Sequence, residues 1–309
     1  MQSPGFDVNL YFSGSVDAGV EKYLIDSNAY RLLTFAYPKE VDHYLGLAAQ
    51  AGKSCRMMMD SGAFSAWNSG KEVTLRELCD YNDKVLARYP QHEFLFISLD
   101  VIPGDRGRKP TNEELAKSIE QSKQNFKVMQ EHYKGRATVL PVYHTGEDLS
   151  LRNYYMELTD YICLSMDQTM SERDRLAWAK RVAVPGWRYH GLAATGNNMV
   201  TQIGWHSADS SSWVTVGSMG GLLWPVGNRF RVLPVSSNSP SRHEAGHHLT
   251  TLSAYERARA EDYIRSKGFD PDALATSYQY RWCWNAYQWL EAPWKRNIQK
   301  PVDLFEEIC

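Results

Sequence analysis

Several patterns that would announce a class at once are missing from this sequence. It has five cysteines (Cys55, Cys79, Cys163, Cys283 and Cys309), an odd number, and no C-x-x-C pair. Spacing therefore argues against a disulfide framework and against a cysteine zinc site. Reduced thiols in a cytoplasmic protein are the expectation. No run of about 18 consecutive apolar residues occurs, so no membrane span is expected. The N-terminus lacks the basic, apolar and small-residue order of a signal peptide. Charge of one sign is also lacking: 34 Lys and Arg against 36 Asp and Glu leave a formal net charge of −2. The protein is no polycation, and any nucleic-acid surface must be a local patch. There is no internal repeat and no low-complexity tract.

What the chain does have is a rhythm. Short apolar runs bounded by turn residues recur at Val8–Phe12, Tyr30–Tyr37, Arg56–Met59, Phe94–Leu99, Thr138–Tyr143, Tyr161–Met166, Trp187–Ala193 and Gly204–Asp209. Runs of that length read as buried strands. Helical patterns fall between them at Lys39–Ala51, Thr74–Tyr89, Thr111–Tyr133, Asp148–Leu158 and Ser171–Val182. Thr74 with Glu77, and Thr111 with Glu114, have the spacing of capping boxes. Alternation repeated eight times predicts an α/β fold, a parallel (β/α)8 TIM-like barrel, with an open doubly wound sheet as the alternative.

A single catalytic domain over residues 1–309 is expected, with the barrel at about 8–225 and an extension at about 226–309. In the extension, Ser210–Leu223 is Ser- and Gly-rich, and Arg229–Arg242 reads as a long loop. Leu252–Lys267 reads as a helix. Ser277–Trp294 is dense in Tyr and Trp, as a helix packed over the barrel floor would be.

Polar residues gather where the strands end: Asp60, Asp100, His144, Asp167 and Asp209, with H-G-L at His190–Leu192. Barrels place their chemistry at that end. An Asp after a strand also caps helices, and Asp167 ahead of T-M-S-E has that alternative. A competing motif is H-E-A-G-H at His243–His247, which matches the H-E-x-x-H of zinc proteases. That motif needs a helix to bring both imidazoles to one metal, and here it follows a Ser- and Pro-rich stretch. Phosphate contacts by His243, His247 and His248 are a looser alternative.

Asp60–Ser65, D-S-G-A-F-S, resembles the D-S-G-G-F-Q signature of the tRNA-guanine transglycosylases, which are barrel enzymes; Ala63 and Ser65 depart from it. Further segments are similar in chain order. Ser98–Asp100 resembles the segment carrying the family's second base-binding aspartate. Pro141–Gly146 stands where the family has V-Q-G-G, with His144 at the Gln. His190–Ala193 resembles G-G-L-A, and Asp209 falls at the nucleophilic aspartate. The likeness covers roughly residues 8–225. The family's C-terminal zinc cluster of three Cys and one His has no counterpart, and the chain is shorter than those enzymes. The S-A-D-S-S-S-W and D-S-G-A-F-S-A-W forms are similar to the phage and bacterial DNA-guanine transglycosylases, which place 7-deazaguanines in DNA.

The resemblance implies a role for each matched residue. Asp209 would be the nucleophile at C1′, and Asp60 the proton donor to the leaving purine and acceptor from the incoming base. Asp100 would bind the purine amide and amine, His144 and the backbone of Gly191 and Leu192 the carbonyl side, and Phe64 the ring face. Retention through two displacements is the chemistry that paired carboxylates serve in glycosidases. The expected partners are DNA and a 7-deazaguanine base such as 7-cyano-7-deazaguanine, with no cofactor, no metal and no membrane. The nucleotide must leave the duplex stack to react. Trp213, Trp224, Arg229, Arg231 and Arg242 are candidates to hold the strand. The alternatives are a tRNA enzyme of the same chemistry, a zinc metalloprotease built on His243 and His247, and a nucleic-acid-binding barrel without activity.

Overall fold

A computed structural model of the chain describes residues 8–104, 108 and 110–292. Its first half alternates strand and helix, with two helices between the third and fourth strands: β1 (Asn9–Phe12), α1 (Ala18–Asp26), β2 (Tyr30–Thr34), α2 (Pro38–Gln50), β3 (Arg56–Asp60), α3 (Ala63–Asn68), α4 (Leu75–Arg88), β4 (Glu93–Ile97) and α5 (Asn112–His132). It continues through β5 (Thr138–Leu140), β6 (Val142–His144), α6 (Leu149–Leu158), β7 (Tyr161–Ser165), α7 (Glu172–Val182), β8 (Arg188–Leu192), α8 (Asn197–Gln202), β9 (Ser207–Ser210) and α9 (Ser212–Ser218). The helices begin where the sequence supplies caps. Thr74 and Thr111 form both halves of their capping boxes, and Asp148 and Ser171 accept from the first turns of α6 and α7.

The sheet has nine parallel strands in the order β5-β4-β3-β2-β1-β9-β8-β7-β6. Its two edges are the two halves of the single strand expected at Thr138–Tyr143. Pro141 divides them, because it has no N–H to give. The carbonyl of Leu140 still accepts from Ser98 on one side (2.8 Å), and that of Pro141 accepts from Cys163 on the other (2.9 Å). Counted as one stave, β5 and β6 close the ring at eight. The barrel expectation holds, and the open-sheet alternative does not.

Alternation along each strand sorts the core into two layers. Tyr11, Met58, Ile97, Leu140, Tyr161 and Cys163 fill the inside. Phe12, Met57, Met59, Phe96, Ile162 and Ala208 face the helices. The same register turns Asp60 inward two residues past Met58, and Asp209 inward one residue past Ala208. One polar tie braces the top of β1. Buried Arg31 pairs with buried Glu21 at 2.6 Å and donates to the carbonyls of Phe12 (2.5 Å) and Ser15 (3.0 Å).

Beyond α9 the sequence expectation needs correction. The Arg229–Arg242 stretch is not one long loop. Gly221–Val226 (β10) and Arg229–Pro234 (β11) form an antiparallel hairpin, with Gly227 at φ 57° opening its two-residue turn. This hairpin runs across the boundary expected near residue 225. Helices α10 (Ala254–Ser266), α11 (Pro271–Thr276) and α12 (Tyr278–Leu290) complete a second core around Trp224, Leu274 and Trp284. The aromatic helix α12 packs on α9, α1 and β10 and touches β1, rather than lying over the floor. Buried Asn285 fixes it there, donating to the Trp213 carbonyl (2.9 Å) and accepting from the Leu223 N–H (2.7 Å). Trp294 lies outside the described residues. Among the described residues no helix is long and apolar enough to cross a membrane. Cys55, Cys79, Cys163 and Cys283 are free thiols.

Candidate functional site

The C-terminal mouth of the barrel holds the carboxylates. Strand β3 ends on Asp60, and the chain reverses at once through Gly62, whose φ is 73°. A Cβ at Gly62 would sit 3.0 Å from the Ala36 nitrogen, so any other residue would be strained there. The turn aims the Gly62 N–H at Asp60 Oδ2, 3.0 Å away. Burial pushes the Asp60 carboxyl up to about 6. The Thr34 hydroxyl opposes that shift, Asp100 adds to it, the Gly62 N–H opposes it and Asp209 adds further. A carboxyl at that value exchanges protons near neutrality.

Asp209 lies within β9, and its two oxygens are treated differently. Oδ1 accepts the Ala193 N–H at 2.8 Å and lies 3.4 Å from His190 Nε2. Among the described residues Oδ2 has only the Ser13 hydroxyl, at 3.5 Å. Ala193 holds its N–H there from a left-handed φ of 50°, which costs a residue with a Cβ about 1–2 kcal/mol. Behind Asp209 runs a buried polar chain. His190 is 0% exposed, and its Nδ1 is 2.6 Å from the Ser207 hydroxyl. That hydroxyl is 2.5 Å from the Tyr161 phenol.

Asp100 follows β4 on a loop pinned by Asn125, which donates to the Leu99 carbonyl (2.9 Å). Its Oδ2 meets His144 Nε2 at 3.0 Å, and Ser61 reaches Oδ1 at 3.5 Å. His144 ends β6, and its backbone N–H donates to Glu147 Oε2 (2.6 Å). Burial works to lower the His144 pKa, but the hydrogen bond and charge of Asp100, with Glu147, outweigh it and leave it raised. Beneath these groups, burial holds the Cys163 thiol well above its ordinary value, and Asp209, Asp60 and Asp100 all push the same way. Asp60, Asp100, His144 and Asp209 stand at or just past the C-terminal ends of β3, β4, β6 and β9, parallel strands of one barrel, so they share its mouth.

Phe64 is 67% exposed on α3, its ring centroid 6.1 Å from that of Trp67. Trp67 in turn donates to the Gly104 carbonyl (2.9 Å) in the loop after β4. Leu192 points inward and packs on the barrel interior. Gly191 points outward: a Cβ there would lie 2.5 Å from that of Ala194 and 3.2 Å from the Trp205 ring. Packing is thus a sufficient reason for glycine at that position. Asp167 accepts from the Thr169 N–H (2.8 Å) and hydroxyl (2.7 Å), a turn ahead of α7 whose own cap is Ser171.

Arg229 and Arg231 are exposed on β11, and Arg242 is exposed in a 3-10 turn, Pro240–His243. Arg229 lines a cleft of about 400 Å³ with Arg175, Asn198 and Ala193, beside the residue that holds Asp209. Asn197 bolts the hairpin to that cleft through both polar atoms of Phe230, at 2.8 and 2.9 Å. Trp213 and Trp224 are corrections. Each is 1% exposed and therefore closed to a nucleic acid; Trp213 donates to the Ser13 carbonyl (2.8 Å). The H-E-A-G-H stretch is no helix either. The 3-10 turn ends at His243 and Gly246 has φ 73°, so the spacing that would put both imidazoles on one face is lost. His248 is buried, 3.1 Å from the Ser236 carbonyl. A larger cavity, about 570 Å³, opens at the opposite end of the barrel by Ser54, Glu93, Arg136 and Thr138, away from the carboxylates.

No protein-family model matches the chain, and no curated protein matches it in sequence.

The structure thus brings Asp60, Asp100, His144 and Asp209 to one mouth, with Leu192 in its wall and Phe64 on the helix that follows Asp60. Sequence reasoning missed the partners that hold them: Ala193, Ser13, Ser207, Tyr161 and Glu147. Those contacts depend on register between strands distant in sequence. His190 alone carried a signal, as an ionisable residue in an apolar run.

Proposed function

We propose that the protein is a DNA-guanine transglycosylase, exchanging guanine for a 7-deazaguanine through a covalent Asp209–deoxyribose ester. The observation that supports it best is the division of labour between two carboxyls at one mouth. Asp60 is lifted to about 6, as a proton donor and acceptor requires, while Asp209 presents an oxygen with a single long contact among the described residues.

In this reading the Asp209 carboxylate attacks C1′ as the bond from C1′ to guanine breaks, and protonated Asp60 gives its proton to the departing purine. The incoming 7-deazaguanine returns a proton to Asp60 and takes C1′ from the ester, regenerating the Asp209 carboxylate. Two inversions retain configuration. Asp100 accepts from the purine amide and amine, His144 faces the carbonyl side, and Phe64 covers the ring. The hydrogen bond between Asp100 and His144 pre-orients both readers before a base arrives. The nucleotide enters extruded from the stack or single-stranded. Arg229 and Arg175, in the cleft beside Ala193, offer positive charge to the flanking backbone.

Mass spectrometry of nucleosides tests the proposal after incubation of the protein with DNA or tRNA and a panel of 7-deazaguanines. A 7-deazaguanine deoxynucleoside from DNA is the expected product. No new nucleoside from either polymer, with any base, would overturn base exchange; product from tRNA alone would overturn the choice of DNA.

A further inference from the structure

The buried chain behind Asp209 carries a consequence for the reaction. His190 has no contact with solvent, and its Nε2 has no hydrogen bond of good geometry; the facing acceptor is Asp209 Oδ1, 3.4 Å away. Nδ1 is engaged by Ser207 and Ser207 by Tyr161, at 2.6 and 2.5 Å. The Tyr161 phenol keeps its proton: burial raises its pKa, against the Ser207 hydrogen bond. A carboxylate oxygen facing Nε2 sets the polarity of the chain. An unprotonated Nε2 would aim a lone pair at that oxygen. With the ring proton on Nε2, Nδ1 accepts from Ser207, and Ser207 accepts from Tyr161. The Ser207 and Tyr161 protons then each have an acceptor, and the Nε2 proton faces Asp209 Oδ1 at 3.4 Å.

We propose that His190 is a positioning residue for Asp209: with the Ala193 N–H it holds Oδ1, leaves Oδ2 as the attacking oxygen, and limits the lifetime of the covalent ester. This inference rests on the base-exchange reading. As the bond from Oδ2 to C1′ forms and that from C1′ to guanine breaks, Asp60 supplies the proton to guanine and Oδ1 changes from carboxylate to ester carbonyl oxygen. Donors bind a carboxylate more strongly than an ester carbonyl. The Ala193 N–H bonded to Oδ1 and the Nε2–H facing it at 3.4 Å therefore favour the free carboxylate over the adduct, and make Asp209 a better leaving group in the second displacement. A histidine serving packing alone has no such preference.

The test is the fraction of protein held as covalent adduct on a DNA oligonucleotide at fixed guanine concentration, read by intact mass after acid quench. His190→Phe removes the donor and is expected to raise that fraction about fivefold to tenfold and to slow its decay. His190→Gln, which restores an N–H in the direction of Nε2, returns it towards the wild-type value. Ser207→Ala keeps the ring but removes its anchor, and shifts the fraction the same way by about twofold; it carries the test alone if His190→Phe does not fold. An unchanged or lower adduct fraction in the folded variants overturns the assignment and leaves base exchange standing. No adduct in the wild-type protein, and no exchanged base, overturns base exchange and this inference with it.

Discussion

The backbone N–H of Ala193 donates to Oδ1 of Asp209 at 2.8 Å, from a residue held at φ 50°. Asp60 is held in a parallel way, by Gly62 at φ 73° and 3.0 Å. Each of the two carboxyls at the centre of the proposed reaction thus takes a main-chain donor from a left-handed residue just past a strand end. A backbone donor adds no side-chain freedom, so it fixes the carboxyl at little entropic cost.

Gly62→Ala tests that device at Asp60. A Cβ there meets the Ala36 nitrogen at 3.0 Å and must adopt a left-handed φ. The expected cost is about 1–2 kcal/mol of stability by urea denaturation. Displacing the donor by a few tenths of an ångström is expected to lower exchange by about tenfold or more in a nucleoside assay.

Asp60→Asn separates stability from activity. The folded carboxyl titrates at about 6, above its unfolded value near 4. Between about pH 4 and 6 the native state holds a proton that the unfolded state has lost, so this group's contribution to stability falls as pH rises through that window. The neutral amide escapes that loss. Asp60→Asn is expected to be about 1–2 kcal/mol more stable than wild type at pH 8, the full shift being discounted for partial exposure, and to be inactive in exchange.

His144 has the same sign of pH dependence, in a higher pH window. Its pKa is raised above the ordinary value, with Asp100 and Glu147 outweighing burial. Its contribution to stability is complete below the unfolded value of about 6.5 and is lost as pH rises through the folded value. Denaturation of His144→Ala should therefore show a larger loss, relative to wild type, at about pH 5.5 than at about pH 9.

Arg31→Met tests the brace under the mouth. It leaves the buried Glu21 carboxylate without its 2.6 Å partner and frees the Phe12 and Ser15 carbonyls on either side of Ser13. A loss of about 3–5 kcal/mol is expected in chemical denaturation.

The barrel was legible because buried parallel strands are short apolar runs, and each run here is bounded by turn residues. The capping residues Thr74, Thr111, Asp148 and Ser171 set helix starts that the structure reproduces. Asp60, Asp100, His144 and Asp209 were legible as polar residues ending apolar runs. The β10–β11 hairpin was not: Ser and Gly before it and Pro within it mask the alternation, although Gly227–Asn228 is a turn signal of the right length. Trp213 and Trp224 were misread because composition cannot distinguish an aromatic that closes a core from one that grips a strand. The chain from Tyr161 to Ser207 to His190 spans three strands, and its existence depends on a register that only the closed barrel sets.

The most direct test of the central claim is the covalent intermediate itself. Wild-type protein and Asp209→Ala are each mixed with a guanine-containing DNA oligonucleotide, quenched in acid and weighed intact. The account predicts a wild-type species heavier by the oligonucleotide less one guanine, and no such species from Asp209→Ala even though that variant still binds the DNA. A normal adduct from Asp209→Ala, or DNA exchanged by wild type with no dependence on Asp209, would contradict it.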